Sequence, residues 1–574
     1  MRWWIKASAL PALLLWASAA GAQSPAAIVT PPSGTPIPLT PPVAPGVGPA
    51  ARPAPATPSD DPALAGTLAI SSLEIEGTTA FPRARLEAAA GTLTGPSVQL
   101  RSIEAARAAI LNLYREAGYV FTTVDAVVER GGRLRLVVGE ASITEVRLDG
   151  DIGPAGTQVL RLLNNIVGQR PLDAATLERW LLLAEDVPGV SLRAILRPAG
   201  TGPGALSLVA QVSRDAVTGY VTGDNRGARI TGREQGLAAV QFNSFTEFGE
   251  RTELSLYATT GNGQLFGQAS TELFVGRSGA RVRLYAGTGY SRPGAPLSTI
   301  GYEGLTTLAG VSASYPVIRR RQQSLFLVGA LDVVENEIRL EGGVLGDRRL
   351  SEDSLRVLRL GADWARFDQW LGEDRPAVNT LSARLSQGLD AFGATPSRSP
   401  DLSRANAVTD FTKLTFDATR TQTLFTPWTG ATVSLQATLA GQWTNDVLPQ
   451  AEKFYLGGAR LGRGYFAGEV TGDKAIAGSL ELQLGLQWET TLLGRSVRVD
   501  PLFYGFYDAG QAWQNQSIDR DASLSSFGLG TRFNLTPNAE FQLEGVRRLE
   551  RRPGGAQTEA LDRDALFWRV LFRL

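Results

Sequence analysis

The strongest constraint on this chain is the alternation that fills its C-terminal part. From about Ala216 to Leu574, 359 residues run as short segments in which apolar and polar side chains take turns, with no helical periodicity between them. A period of two is that of an extended strand, whose successive side chains point to opposite faces. In Arg251–Ala258, Leu254, Leu256 and Ala258 oppose Glu253, Ser255 and Tyr257. In 358–364, Leu358, Leu360, Ala362 and Trp364 oppose Arg359 and Asp363. In 480–488, Leu480, Leu482, Leu484, Leu486 and Trp488 oppose Glu481, Gln483 and Gln487. The last residues repeat the pattern, with Trp568, Val570, Phe572 and Leu574 opposite Arg569 and Arg573. A soluble sandwich turns such an apolar face inward, and a membrane barrel turns it to lipid. Periodicity alone does not separate the two. The charge on the polar face, the Trp and Tyr residues near strand ends and the length of the region favour the barrel. At roughly 22 residues per strand and connection, about 16 strands are expected, an even number as in single-chain bacterial barrels.

The front of the chain reads differently. Arg2 and Lys6, an apolar run from Ala7 to Ala19 and the small residues Ala20-Gly21-Ala22 form a signal-peptide pattern over 1–22. Residues 23–67 are rich in Pro, Ala, Ser and Thr and are expected to be an extended linker. Two modules of similar order follow, over 68–140 and 141–214. In the first, Ile70–Ile75 alternates as a strand, Arg83–Ala90 and Ile103–Ala117 have helical patterns, and Val120–Val128 and Arg133–Val138 alternate again across Gly131-Gly132. The second repeats β-α-α-β-β with Ile143–Leu148, Gly156–Leu163, Asp173–Ala184, Val190–Leu196 and Leu206–Val212. The barrel is assigned to 216–574.

Composition excludes several kinds of chemistry. The chain has no Cys and no His, so thiol nucleophiles, the usual zinc ligand sets and His-based triads are absent. Its 56 basic and 56 acidic residues balance, which gives no basic stripe for nucleic acid. There is no Gly-Lys dipeptide and hence no Walker A loop. No enzyme activity, cofactor or metal is expected.

One stretch stands out within the barrel region, Gly457-Gly458-Ala459-Arg460-Leu461-Gly462-Arg463-Gly464-Tyr465-Phe466. A glycine-rich loop with two arginines next to a polar lumen is expected to fold inward. A guanidinium there needs a carboxylate, because an unpaired buried charge is costly. Asp508 lies on a strand where Phe506, Asp508 and Gly510 share a face, and a bidentate Arg463–Asp508 pair fixes orientation as well as adding energy. Gly464 permits close approach to the wall, and Tyr465 can lie against it with its hydroxyl free to bond. Arg460 has no partner assigned from sequence.

These segments resemble the signatures of a known family. Phe454-Tyr455-Leu456-Gly457-Gly458, Gly462-Arg463-Gly464-Tyr465, Gly472-Asp473 and Leu480-Glu481-Leu482 resemble the sixth-loop motif of the outer-membrane assembly and transport superfamily. Phe506-Tyr507-Asp508-Ala509-Gly510 fits its F-x-D-x-G strand motif, and Asp224-Asn225-Arg226-Gly227 its opening barrel strand. Pro188-Gly189-Val190 and Gly118-Tyr119 are similar to residues of its periplasmic POTRA domains. The chain resembles most closely the two-partner secretion branch, the TpsB-type transporters similar to FhaC and ShlB. Gly462 stands where an apolar residue is common, and Leu574 where Phe is usual. The resemblance implies an outer-membrane translocator for a large exoprotein of adhesin or haemolysin type (TpsA-like). Its POTRA domains would sit in the periplasm and catch the unfolded partner, and its barrel would conduct that partner without nucleotide hydrolysis. Lipid is the expected surroundings, and a monomer the expected state. A barrel-assembly factor is the alternative.

Overall fold

The computed structural model describes residues 47–48, 55–57 and 62–574, apart from 493–494, 537 and 556–557. The signal-peptide segment lies outside the described residues, as does most of the linker. Within the linker, Gly48 donates its N–H to the Arg321 carbonyl, Ala56 pairs with the Asn112 side chain, and Pro62–Ala65 forms a short 3-10 turn.

The expected β-α-α-β-β order appears twice. The first module contains β1 (Thr67–Ile70), β2 (Ser72–Glu76), α1 (Arg83–Ala90), β3 (Gly95–Gln99), α2 (Leu100–Glu116), β4 (Thr123–Val128) and β5 (Arg133–Gly139). The single strand expected from Ile70 is broken at Ser71. β1 turns aside to pair antiparallel with β3, an added ribbon that the alternation did not show. The three-stranded sheet has the order β2-β5-β4, with β2 parallel and β4 antiparallel to β5. α2 lays Ile103, Ala106, Ile110, Leu111 and Tyr114 on it, an i, i+3, i+7, i+8, i+11 stripe that faces the core. The second module contains β6 (Ser142–Asp149), α3 (Ala155–Leu163), α4 (Ala174–Glu185), β7 (Val190–Pro198) and β8 (Ala205–Arg214), in sheet order β6-β8-β7. Asp173 caps α4 by accepting the N–H groups of Ala175 and Thr176, which satisfies donors that a helix start leaves unpaired.

Glu140, at the end of the first module, ties that module's own segments together beside the second. It is 1% exposed and accepts the N–H groups of Thr79 at 2.7 Å and Ala80 at 2.9 Å, and the Tyr114 hydroxyl at 2.7 Å. Arg170 of the second module stands 3.7 Å away. Burial alone would raise the Glu140 pKa, but the bonds from the Thr79 hydroxyl, the two N–H groups and Tyr114 outweigh it and hold the carboxyl below its ordinary value. A depressed folded pKa gives stability that is present above the unfolded value near 4.5 and lost as pH falls through the folded one. The bonds from the Thr79–Ala80 turn and Tyr114 to Glu140 are therefore expected to loosen only below the usual carboxylate range, and Glu140→Gln is expected to flatten that acid limb. Hydrogen exchange at Thr79 and Ala80 across pH 3–7 checks it.

The rest of the chain is a closed barrel of 16 antiparallel strands, from Val217–Asp224 to Asp564–Arg573, which pair with each other to close it. Alternation sets the two faces. Leu254, Leu256, Leu360, Leu480 and Leu482 are exposed on the outside, whereas Glu253, Arg359, Glu481 and Gln483 are buried toward the lumen. Trp370, Trp428 and Trp443 are exposed at strand ends, as interfacial girdles require. The second module sits against one mouth of the barrel. Asp186 accepts from Arg319 at 2.8 and 3.0 Å and from Arg281 at 3.2 Å. Arg179 donates to the Pro316 and Val317 carbonyls. A Cβ on Gly189 would meet the Asp215 carbonyl at 2.4 Å and the Asn243 side chain at 2.8 Å, so the module's turn packs directly on the rim there.

Candidate functional site

The Ala431–Thr444 and Lys474–Leu486 strands are joined by 445–473 at the mouth away from the modules. This connection turns into the lumen. Two short strands, Phe454–Leu456 and Val470–Gly472, pair antiparallel as its stem, and the glycine-rich segment forms its tip. Gly457 and Gly458 both have φ of 102°, a region closed to most residues with a side chain. A Cβ on Gly457 would meet the Phe466 carbonyl at 2.1 Å.

Arg463 is the most heavily bonded side chain of the tip. Its Nε donates to Asp508 Oδ2 at 3.0 Å and its Nη2 to Asp508 Oδ1 at 2.9 Å. Its backbone N–H also donates to Asp508 Oδ2, at 2.8 Å. Nη2 reaches Ser479 Oγ at 2.8 Å, and Ser479 in turn donates to Asp508 at 2.7 Å. The guanidinium lies over the Phe506 ring, 3.7 Å from its centroid, where the ring's negative face attracts a cation. Arg463 Nη1 pairs with Glu481 as well. Sequence reasoning placed Glu481 only on the polar face. Its place in Leu480-Glu481-Leu482 gave only its face; the register, which sets Ser479 opposite Asp508 and Glu481 opposite Phe506, brings it to Arg463. One arginine thus holds two carboxylates on neighbouring strands.

The other candidate residues surround this pair. A Cβ on Gly464 would lie 2.6 Å from Ser526 Cβ and 3.0 Å from Val546, so the loop backbone rests directly on the wall. Tyr465 is fully buried, and its hydroxyl donates to the Ser525 carbonyl at 2.7 Å or the Glu550 carbonyl at 2.8 Å. Phe506 lies on Gly528, where a Cβ would be 2.8 Å from the ring. Gly510 makes room for Leu456 of the stem. Arg460, left unpaired by the sequence, pairs with Asp417 across the lumen, but it is well exposed, and such pairs contribute little.

The base of the loop has a second anchor that sequence reasoning missed. Glu452 is fully buried, and its carboxylate accepts from Arg359 Nη2 at 2.7 Å and Nη1 at 3.2 Å, and from Lys413 Nζ at 2.7 Å. Arg359 is shared with Asp332 at 2.6 Å, and Asp332 accepts from the Tyr285 hydroxyl. Asp473, at the loop's exit, pairs with Arg404 of the 389–411 connection. No motif joins Asp332, Arg359, Lys413 and Glu452; only the barrel register does.

This geometry can position a loop and shape a conduit. Among the described residues no cluster of acidic side chains has metal-site geometry. The comparisons agree with a transport role. A family model described as "Haemolysin secretion/activation protein ShlB/FhaC/HecB" matches residues 204–533, and one described as "POTRA domain, ShlB-type" matches 68–141. The chain is 23% identical over 458 residues to the heme/hemopexin transporter protein HuxB of Haemophilus influenzae (strain 86-028NP), covering 77% of this chain and 76% of that protein. Among solved structures, CdiB from Escherichia coli matches with a TM-score of 0.68 at 17% identity, over 90% of this chain and 93% of that one. CdiB from Acinetobacter baumannii matches with 0.60 at 15%, over 89% and 90%. These likenesses show a shared fold.

Proposed function

The chain belongs to the haemolysin secretion/activation family ShlB/FhaC/HecB, and on that premise we propose that it exports one large partner exoprotein, adhesin- or haemolysin-like, through its barrel. It is an outer-membrane transporter of the two-partner secretion type, with POTRA domains on the periplasmic side. The finer reading is that these domains catch the unfolded partner, that the barrel conducts it as a monomer, and that folding outside the cell supplies the drive in place of nucleotide hydrolysis.

One observation supports capture most directly. β4 is an edge of the first sheet, paired only with β5, and it carries Val127 and Val128 at 45% and 41% exposure. An exposed edge with apolar side chains is a template for an extended peptide, which gains backbone hydrogen bonds at little sequence cost. The module rests on the barrel through the second module, so a strand added there is delivered to the periplasmic mouth. The test is to express the chain with a candidate large exoprotein of the two-partner type and measure its release. Val127→Lys/Val128→Lys, which places charge on the edge, is expected to cut release of the partner about tenfold, equivalent to ~1.4 kcal/mol of lost capture, with barrel insertion unchanged. Normal release from this variant would sink the capture reading. Loss of many other barrel proteins on deletion of the chain, with the exoprotein still exported, would instead indicate an assembly factor.

A further inference from the structure

The barrel closes on a short seam. The first strand shares five register pairs with the last, Asp224 to Arg569 through Tyr220 to Arg573, whereas the last strand shares nine with its other neighbour. The first strand ends at Asp224, so Asp564–Trp568 of the last strand continue past it toward the outer mouth. Leu566 is exposed on the outer face there. Backbone groups facing lipid need internal partners, and the residues just after Asp224 supply them. Asn225 donates its amide to the Leu566 carbonyl at 3.0 Å and accepts the Trp568 N–H at 2.9 Å.

Arg226 comes next and is 5% exposed. Its guanidinium pairs with Glu544 on the penultimate strand, donates to the Arg463 carbonyl at the loop tip, and lies 4.1 Å above the ring of Phe567 on the last strand. Its own carbonyl accepts the Ala467 N–H of the loop at 2.9 Å. The loop reaches the same place from its side. Phe466 packs edge-on against Phe567 at 5.9 Å, with Arg233 5.0 Å from the Phe466 ring. Arg229 stands 3.4 Å from Glu469, and Arg548 donates to the Gly464 carbonyl. Groups from the start of the barrel, from its last two strands and from the loop therefore meet where the seam has run out of backbone pairs.

We propose that the inward loop is the staple of the barrel seam, with Arg226 as the positioning residue through which it holds the first strand to the last two. The loop thus has a task besides shaping the conduit: its docked state and the closed seam are one coupled state. Withdrawal of the tip removes Phe466 from Phe567 and the Arg463 carbonyl and Ala467 N–H from Arg226, and it leaves the upper seam on Asn225 and on an Arg226 held only by Glu544 and Phe567. Residues at this junction act through the seam and need not touch a passing chain.

The chain has no cysteine, so Thr222→Cys/Leu571→Cys, a register pair of the seam, introduces a single seam disulfide. The measurement is the temperature at which the purified full-length protein loses its folded, detergent-resistant gel mobility. Arg226→Met is expected to lower it, and the oxidised seam disulfide to restore most of the loss. Arg319→Met, a buried arginine lost at the module-facing rim with Asp186 rather than the loop as its partner, is expected to show a loss that the disulfide leaves in place. If the disulfide fails to rescue Arg226→Met, or rescues both variants equally, the staple is excluded. Should Arg226→Met not insert, Phe466→Ala tests the same coupling from the loop side, with the same two outcomes. The readout is barrel unfolding rather than export, so the result stands apart from the secretion reading.

Discussion

Arg463→Ala is expected to cut export of the partner at least ~tenfold while the barrel still inserts and folds. The side chain is buried and gives up bonds to Asp508, Glu481 and Ser479 together with its place over Phe506. Breaking a buried ion pair from one side costs about 3–5 kcal/mol, because the partner charge is left uncompensated. Here two carboxylates are left. That penalty falls on the docked position of the loop tip and, through it, on the seam, and it spares the other strand pairs, whose bonding is backbone. Asp508→Ala is expected to match it, since Asp508 accepts three of the tip's bonds, including the Arg463 N–H. Glu481→Gln is expected to be milder, because it removes one contact and keeps a polar group. The double variant Arg463→Ala/Asp508→Ala is expected to be little worse than either single one, the signature of residues that share an interaction. Quantifying the partner in the medium, with heat-modified gel mobility as the control for folding, decides it. Ordinary export from both single variants would remove the anchor from the mechanism.

Sequence carried the strands and much of the loop, for physical reasons. A lipid-facing strand must alternate, so Leu480-Glu481-Leu482 shows its two faces in order, and sixteen such strands follow from length. The Arg463–Asp508 pair could be anticipated because a lumen guanidinium needs a carboxylate and Asp508 shares a face with Phe506 and Gly510. What could not be read depends on register. Glu481 joins Arg463 only because Ser479 lies opposite Asp508. Arg226 meets Glu544 across 318 positions of sequence, and Arg359 meets Glu452 across 93. Strands carry no local signal for which polar residue finds which across a lumen. The β1–β3 ribbon was hidden for a different reason. Ser71 interrupts an alternation that otherwise runs on, and pairing with Gly95–Gln99 decides where the strand breaks.

Glu452→Gln is expected to destabilise the barrel itself, more than any single change at the tip. Its partners belong to the wall, Arg359 on the Arg348–Asp368 strand and Lys413 on the Thr412–Phe425 strand. With the Glu452 charge gone, two buried cations face the single carboxylate of Asp332, and the cost is again on the order of 3–5 kcal/mol. Adding Lys413→Met leaves Arg359 and Asp332 as a balanced pair 2.6 Å apart and is expected to recover a large part of the loss. Thermal unfolding of the single and double variants measures this. A double variant whose loss equals the sum of the two singles would show that the cluster is not coupled. If the coupling is found, the two anchors differ in kind. The base is fixed to the far wall by a buried charge cluster, whereas the tip is held by Arg463, by the Tyr465 hydroxyl and by its contacts at the seam. Withdrawal of such a loop is expected to begin at the tip, which leaves Asp508 and the seam while the base at Glu452 stays as the pivot.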